Sequence, residues 1–317
     1  MGTGGRDERS KRFHLRLALL GIGLLVAAGL AGAAEPARAL DPTINRLMGG
    51  SDWYHALDVI ASVNETSPDV PVVLLLGGSC AREATVSDGD WAAQVERRGG
   101  PAVLTYNMGS RNQTFYEDVA FVKVLPQVPT IVYIGVNLGR FTSPYTTKVV
   151  PLGPEPTKTT RYSQHRYSKT RILSLTKKRW LVGDWLQRRY PVFQNRYAYN
   201  LGQLERLIRA CKARGLRPVM LDLPRNMVVI KDRFYRPIQR YHQGCRALAG
   251  EYSIPFVNFV GAANLVDRDF YDIAHVVEPG RTKFQRLLSD KTIDLIKRYG
   301  MMPPPEETPT PEPSPTQ

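Results

Sequence analysis

The chain has 317 residues, 43% of them hydrophobic and 23% charged, with a formal net charge of +14. That length suits one globular domain with additions and excludes two full domains. The charge is local: residues 141–200 carry twelve Lys or Arg against Glu155 and Asp184, a net of +10, and the segment before the first apolar run adds +3, so the remainder is near neutral.

The N-terminus opens on a basic stretch (Arg6, Arg9, Lys11, Arg12 and Arg16 against Asp7 and Glu8) that leads into an unbroken apolar and small-residue run, 17–34. This is the pattern of a targeting segment, not of the fold. Two readings compete. Ala37-Arg38-Ala39 has the small-x-small form of a signal-peptidase site, which would release the chain after Ala39. The apolar run, at about 18 residues, is long for a signal peptide and nearly spans a bilayer, which would leave residues 17–34 as an anchor in the cytoplasmic membrane. No second apolar run follows, so the rest is expected to be extracytoplasmic.

Residues 40–69 read as a linker and a helix, and a domain is expected over 70–299. Its first strand, 72–76, is a short continuous apolar run closed by Gly77-Gly78, the pattern of a strand buried on both faces. Similar runs follow at 102–106, 130–134 and 218–223, with a weaker one at 255–259. Helical patterns lie between them at 81–97, 115–124, 201–214 and 237–252, and a last one at 281–299 closes the domain. This alternation predicts an α/β/α sandwich around a parallel sheet of about five strands.

Residues 141–200 interrupt the alternation as a basic insertion. It is able to meet an anionic lipid surface or an acidic polysaccharide; nucleic acid is not expected as a partner of an exported protein. The plainer reading is a solvated loop. Lys177 to Arg189 reads as a basic helix with an apolar stripe, resting on a membrane interface or closing as a lid, although tryptophans at helical spacing usually pack as core. Three cysteines, Cys80, Cys211 and Cys245, show no zinc spacing; Cys80 is expected buried and free, while Cys211 and Cys245 on neighbouring helices are candidates for a bridge. Residues 300–317, rich in Pro, Glu and Thr, cannot build a core and are expected to be disordered.

Loops at the carboxyl ends of parallel strands form the crevice where ligands bind in open α/β sheets. The strand assignments therefore predict convergence of Gly77-Gly78-Ser79, Asn107-Met108-Gly109, Gly135-Val136-Asn137 and the later pair Asp272 and His275. A serine hydroxyl needs a neutral imidazole to take its proton, and the imidazole needs a carboxylate to fix its tautomer. The oxyanion that forms needs donors, for which the Ser79 N–H, Gly109 N–H and Asn137 side chain are the natural candidates. If these meet, the chemistry is that of a serine acyl hydrolase or acyltransferase, with no cofactor or metal.

These four ordered blocks resemble the SGNH (GDSL-like) hydrolase superfamily over roughly residues 70–299. The resemblance implies a flavodoxin-like fold with Ser79 as nucleophile, His275 as base, Asp272 as its orienter, and Gly109 and Asn137 in the oxyanion hole. Gly78 stands where members named for the motif have Asp, and Leu138 follows Asn137 where many have Asp. Arg82, Arg111, Asn112 and Arg225 are further candidates for substrate contact, as are Glu83 and Asn226. His14, His55, His165 and His242 have no partner pattern.

Three function classes follow. One is an extracytoplasmic enzyme that removes or transfers O-acyl groups on an envelope polysaccharide, with a membrane-bound O-acyltransferase as partner. The second is a secreted carboxylesterase or lipase on small esters or lipids. The third is a binding module that keeps the fold without the reaction.

Overall fold

The computed structural model describes residues 51–302 apart from residue 67, 146–163 and 168–170. The apolar run 17–34, the cleavage site after Ala39, His14 and tail residues 303–317 lie outside these. Among the described residues no helix is long and apolar enough to cross a membrane.

Five strands form one parallel sheet in the order β2-β1-β3-β4-β5: β1 (Val72–Leu76), β2 (Leu104–Asn107), β3 (Thr130–Val136), β4 (Arg217–Asp222) and β5 (Phe256–Asn258). Every residue of β1 and β3 is buried, which is why both read as uninterrupted apolar runs. The order reverses once, between the connection from β1 to β2 and the connection from β2 to β3. Right-handed crossovers then place the helices of these two connections on opposite faces.

One face carries α3 (Asp88–Arg97) and the closing α9 (Glu278–Arg298), which pack on each other and on Val73, Leu75, Tyr133, Val219 and Leu221 through Trp91, Val95, Phe284 and Leu288. The other carries α4 (Phe115–Val124), α6 (Tyr190–Ala213) and α8 (Tyr235–Tyr252), with α6 packed on both α4 and α8. Helix α1 (Ser51–Thr66) precedes the sheet, and His55 on it pairs with Asp88 at 3.5 Å.

The boundaries differ from the sequence reading in instructive places. The single helix expected over 81–97 is two: a turn α2 (Ser79–Arg82), then α3, restarted by Ser87, whose side chain accepts from Asp90 N at 3.0 Å. Helix α6 begins at Tyr190, eleven residues before the expected 201, because Phe193, Tyr197 and Asn200 form an inward stripe among basic neighbours. The last part of the basic insertion is therefore a core helix, not a solvated loop. Before it come α5 (Leu175–Asp184) and a π-helical turn, Trp185–Arg189. Trp185 packs on Phe234, their rings 4.5 Å apart, whereas Trp180 stays 52% exposed. Helix α9 starts at Glu278, with Pro279 in its first turn, where the missing N–H costs nothing.

Cys211 and Cys245, candidates for a bridge, are both free buried thiols, as is Cys80. Burial raises the thiol pKa of Cys211 and of Cys245.

Candidate active site

The carboxyl edge of the sheet carries the site. β1 ends in Gly77-Gly78 and turns into α2, whose first residue is Ser79. A side chain at position 77 would press on the Ala81 Cβ at 2.7 Å, so glycine lets the turn fold tightly on the strand end. Across the crevice, Asp272 caps its own loop, its Oδ1 accepting from Ala274 N at 2.8 Å and from His275 N at 2.9 Å. Asn226, at the head of the short helix α7 (Met227–Ile230), holds this loop from outside: its N–H donates to Ile273 O at 2.9 Å and its amide to Asp272 O at 3.3 Å. Asn226 is thus a loop support and makes no cavity wall.

The three chemical groups form one hydrogen-bonded line. Asp272 Oδ2 lies 2.8 Å from His275 Nδ1, and His275 Nε2 lies 2.9 Å from Ser79 Oγ. With the carboxylate accepting, Nδ1 carries the proton and Nε2 faces the serine oxygen as acceptor. Burial disfavours a charged His275, yet the Cys80 sulfur and the Asp272 carboxylate prevail and raise its pKa well above the ordinary histidine value. Burial pushes Asp272 the other way, but its bonds to His275 outweigh that and hold its pKa below the usual carboxylate range.

Ser79, His275 and Asn137 line one cavity of about 590 Å³, together with Asn112, Arg140, Trp185, Arg189 and Arg225. Asn137 Oδ1 accepts from Arg140 N at 3.0 Å, which turns its NH₂ group away from that bond. Arg140 is buried and paired to Asp118, with its guanidinium 3.8 Å over the Phe115 ring. It anchors the turn that carries Asn137, and nothing in its sequence surroundings marked it.

Gly109, expected as an oxyanion donor, has its N–H engaged elsewhere. Its N–H donates to Asn107 Oδ1 at 3.0 Å, and it does not line the cavity. Its glycine character has a packing cause: a Cβ there would lie 2.5 Å from Arg82 N, so the β2 loop passes against α2 only with hydrogen at that position. Asn112, considered from sequence only as a substrate contact, stands at φ 60 and lines the cavity. Its N–H donates to no backbone carbonyl among the described residues. Asn is one of the few residues that enter this left-handed region readily, and that was the available signal.

The candidate arginines divide. Arg82 is buried and donates to Gln164 O at 2.7 Å. Arg111 is exposed and off the cavity wall. Arg225 borders the cavity, but one nitrogen of its guanidinium is bound to both oxygens of Asp222, at 2.8 and 2.9 Å, and to the Tyr241 hydroxyl at 2.6 Å. It is chiefly the partner of a buried carboxylate. Glu83 is buried and paired with Arg281 at the start of α9. Histidines that lacked a sequence pattern have partners here: His242 with Asp222 at 2.9 Å, and His165 with Thr85 O at 2.7 Å.

The described part of the insertion also reaches the site. Residues 164–167 are strapped to α2 and the following turn through Arg82, Thr85 and Glu83, and Arg281 donates to Tyr167 O at 2.7 Å. The Tyr167 ring lies over His275 at 4.7 Å and stacks on Tyr271 at 4.2 Å. An aromatic cover on the imidazole limits its rotation and its contact with water. Its position more than a hundred residues before His275 made it unreadable from spacing.

No family model and no curated protein matches the chain. Among solved structures, it is similar to a lipase/acylhydrolase from Enterococcus faecalis, with 14% identity and a TM-score of 0.41 over 75% of this chain and 100% of that one. It is also similar to an acetylxylan esterase from Geobacillus stearothermophilus, with 13% identity and a TM-score of 0.44 over 69% of this chain and 93% of that one. A GDSL-like lipase from Bacteroides thetaiotaomicron has 12% identity and a TM-score of 0.39, over 76% and 98% respectively.

Proposed function

We propose that the protein is a serine-dependent ester hydrolase or O-acyltransferase that works through a covalent acyl-enzyme, of the SGNH type that its ordered motif blocks suggest. The observation that carries this reading is the line from Asp272 through His275 to Ser79, at 2.8 and 2.9 Å, ending in a cavity. In this reading Ser79 Oγ attacks the ester carbonyl as His275 Nε2 takes its proton, and Asp272 stabilises the imidazolium. The oxyanion is received by the Ser79 N–H, the Asn137 amide and the Asn112 N–H. His275 then protonates the departing alkoxide, which leaves as the alcohol. Water, or the hydroxyl of an acceptor, gives its proton to His275 and attacks the acyl carbon; the acyl–Oγ bond then breaks as His275 returns the proton to Ser79 Oγ, freeing the acid or the transferred ester.

The proposed substrate is an acyl ester of an extracytoplasmic envelope polysaccharide, with a membrane-bound O-acyltransferase as the partner on the transfer route. A second reading, a carboxylesterase or lipase on small esters or lipids, is favoured by the apolar walls that Leu223, Pro224, Ile230, Phe234 and Trp185 give the cavity. Full-length protein treated with a fluorophosphonate is expected to gain one label, on the Ser79 peptide. Absence of label on folded wild type would move it to the class of non-catalytic binding modules.

Two further outcomes follow. The imidazole must be neutral to accept the serine proton, so kcat/KM is expected to rise with pH as His275 loses its proton. Because that pKa is raised, the acid limb should have its midpoint above the ordinary histidine value of about 6.5; a midpoint at or below it would contradict the Asp272 and Cys80 influence. Asn137→Ala is expected to lower kcat by about 10²–10³-fold, the cost of one oxyanion donor, with little change in KM. An effect confined to KM would instead make Asn137 a ground-state contact.

A further inference from the structure

Seven large hydrophobic side chains are exposed among the described residues, and five come from neighbouring segments: Leu175 and Trp180 on α5, Val228 on α7, Tyr235 at the start of α8, and Val266. Helix α5 packs against α7, and Lys178 Nζ, on the inner side of α5, reaches Asp267 Oδ1 at 2.8 Å and Phe270 O at 2.9 Å. Leu186, Tyr190 and Tyr235 border one shallow depression, joining the π turn to the start of α8. The same segments expose Lys177, Arg179 and Arg189, then Lys231, Arg233 and Arg236, whereas Asp232 is the only exposed carboxylate in described residues 171–190 and 226–236. Lys177 Nζ sits 3.7 Å over the Trp180 ring.

We propose that this face seats the protein on an anionic bilayer surface. Exposed tryptophan, tyrosine and aliphatic side chains on segments that also expose Lys and Arg match the boundary between headgroups and acyl chains: the cations meet anionic lipid and the apolar groups leave water. A soluble polyanion would satisfy the cations but offer nothing to Leu175, Val228 or Val266. Trp185 and Arg189, from the π-turn that follows α5, also line the cavity at Ser79, so this segment is shared by the face and the cavity wall. This seating does not depend on the acyl chemistry, and its test is optical.

Full-length protein is mixed with vesicles of phosphatidylcholine carrying brominated acyl chains, with and without phosphatidylglycerol, and tryptophan fluorescence is recorded. Phosphatidylglycerol is expected to bring out a quenched component that Trp180→Phe lacks. K177E/R179E should reduce that component at least about twofold, since each cation near an anionic surface contributes on the order of a fivefold preference. Equal quenching of Trp180→Phe and wild type, or a component indifferent to phosphatidylglycerol, would overturn the proposal. So would shielding of Trp180 from aqueous acrylamide by a soluble polyuronate with no quenching by the brominated lipid, which would assign the face to a polymer.

Discussion

Ser79→Ala is expected to lower kcat for ester turnover by about six orders of magnitude, and His275→Ala by about as much. In the proposed mechanism the two residues act as one unit, since the hydroxyl would be nucleophilic only while Nε2, 2.9 Å away, receives its proton. The double variant should therefore be no worse than either single one. Asp272→Asn should cost about 10⁴-fold, because an amide in place of the acceptor 2.8 Å from Nδ1 favours the wrong tautomer. Steady-state kinetics on an aryl ester, with circular dichroism to establish folding, checks all four variants. Activity retained in folded Ser79→Ala would remove the acyl-enzyme from the mechanism.

Arg281→Met is expected to destabilise the fold by about 3–5 kcal/mol, the usual result of stranding one member of a buried ion pair. Arg281 pairs with Glu83, donates to Glu83 O at 3.1 Å and to Tyr167 O at 2.7 Å, and both side chains of the pair are at most 5% exposed. Burial already raises the Glu83 pKa in spite of Arg281, so without the guanidinium its charge would be poorly tolerated. For a domain of this size the melting temperature should fall by roughly 6–20 °C. Replacing both residues, Glu83→Leu with Arg281→Met, should recover much of the loss, since neither charge is then left alone. Equal losses in single and double variants would mean that the pair is not the source. The pair joins the serine turn to the helix that follows His275, so Arg281→Met should lower kcat as well.

Much of the fold was legible because its strands are buried on both faces. Such strands must be apolar throughout, and the expected 72–76 run matches β1 (Val72–Leu76) residue for residue. Helix α4 (Phe115–Val124) was equally plain, with Thr114 and Glu117 forming its capping box. Where charge and apolar residues interleave, as over Tyr190 to Asn200, composition suggested a loop and the inward stripe at Phe193 and Tyr197 decided otherwise. In the site, the strand-end pattern placed Ser79, Asp272, His275 and Asn137 at one edge, and the structure joins the first three by hydrogen bonds at a cavity that Asn137 also lines. Gly109, expected as an oxyanion donor, gives its N–H to Asn107 Oδ1 and packs tightly on Arg82, and a glycine needed for close packing and one offering its N–H look the same in a sequence.

The amino-acid sequence by itself determined the alternation of strands and helices, the edge on which their loops emerge, and the order of the groups delivered there. These depend on apolar period and on turn residues, which act over a few neighbours. Only the tertiary structure decided that Asn112 faces the cavity, that Arg225 is bound to Asp222, that Tyr167 covers His275, and that Glu83 meets Arg281 across 198 residues. Each of these is a pairing of buried polar or aromatic groups. Such groups take whichever partner the packed layers bring within hydrogen-bond or van der Waals reach, and local spacing carries no record of that partner.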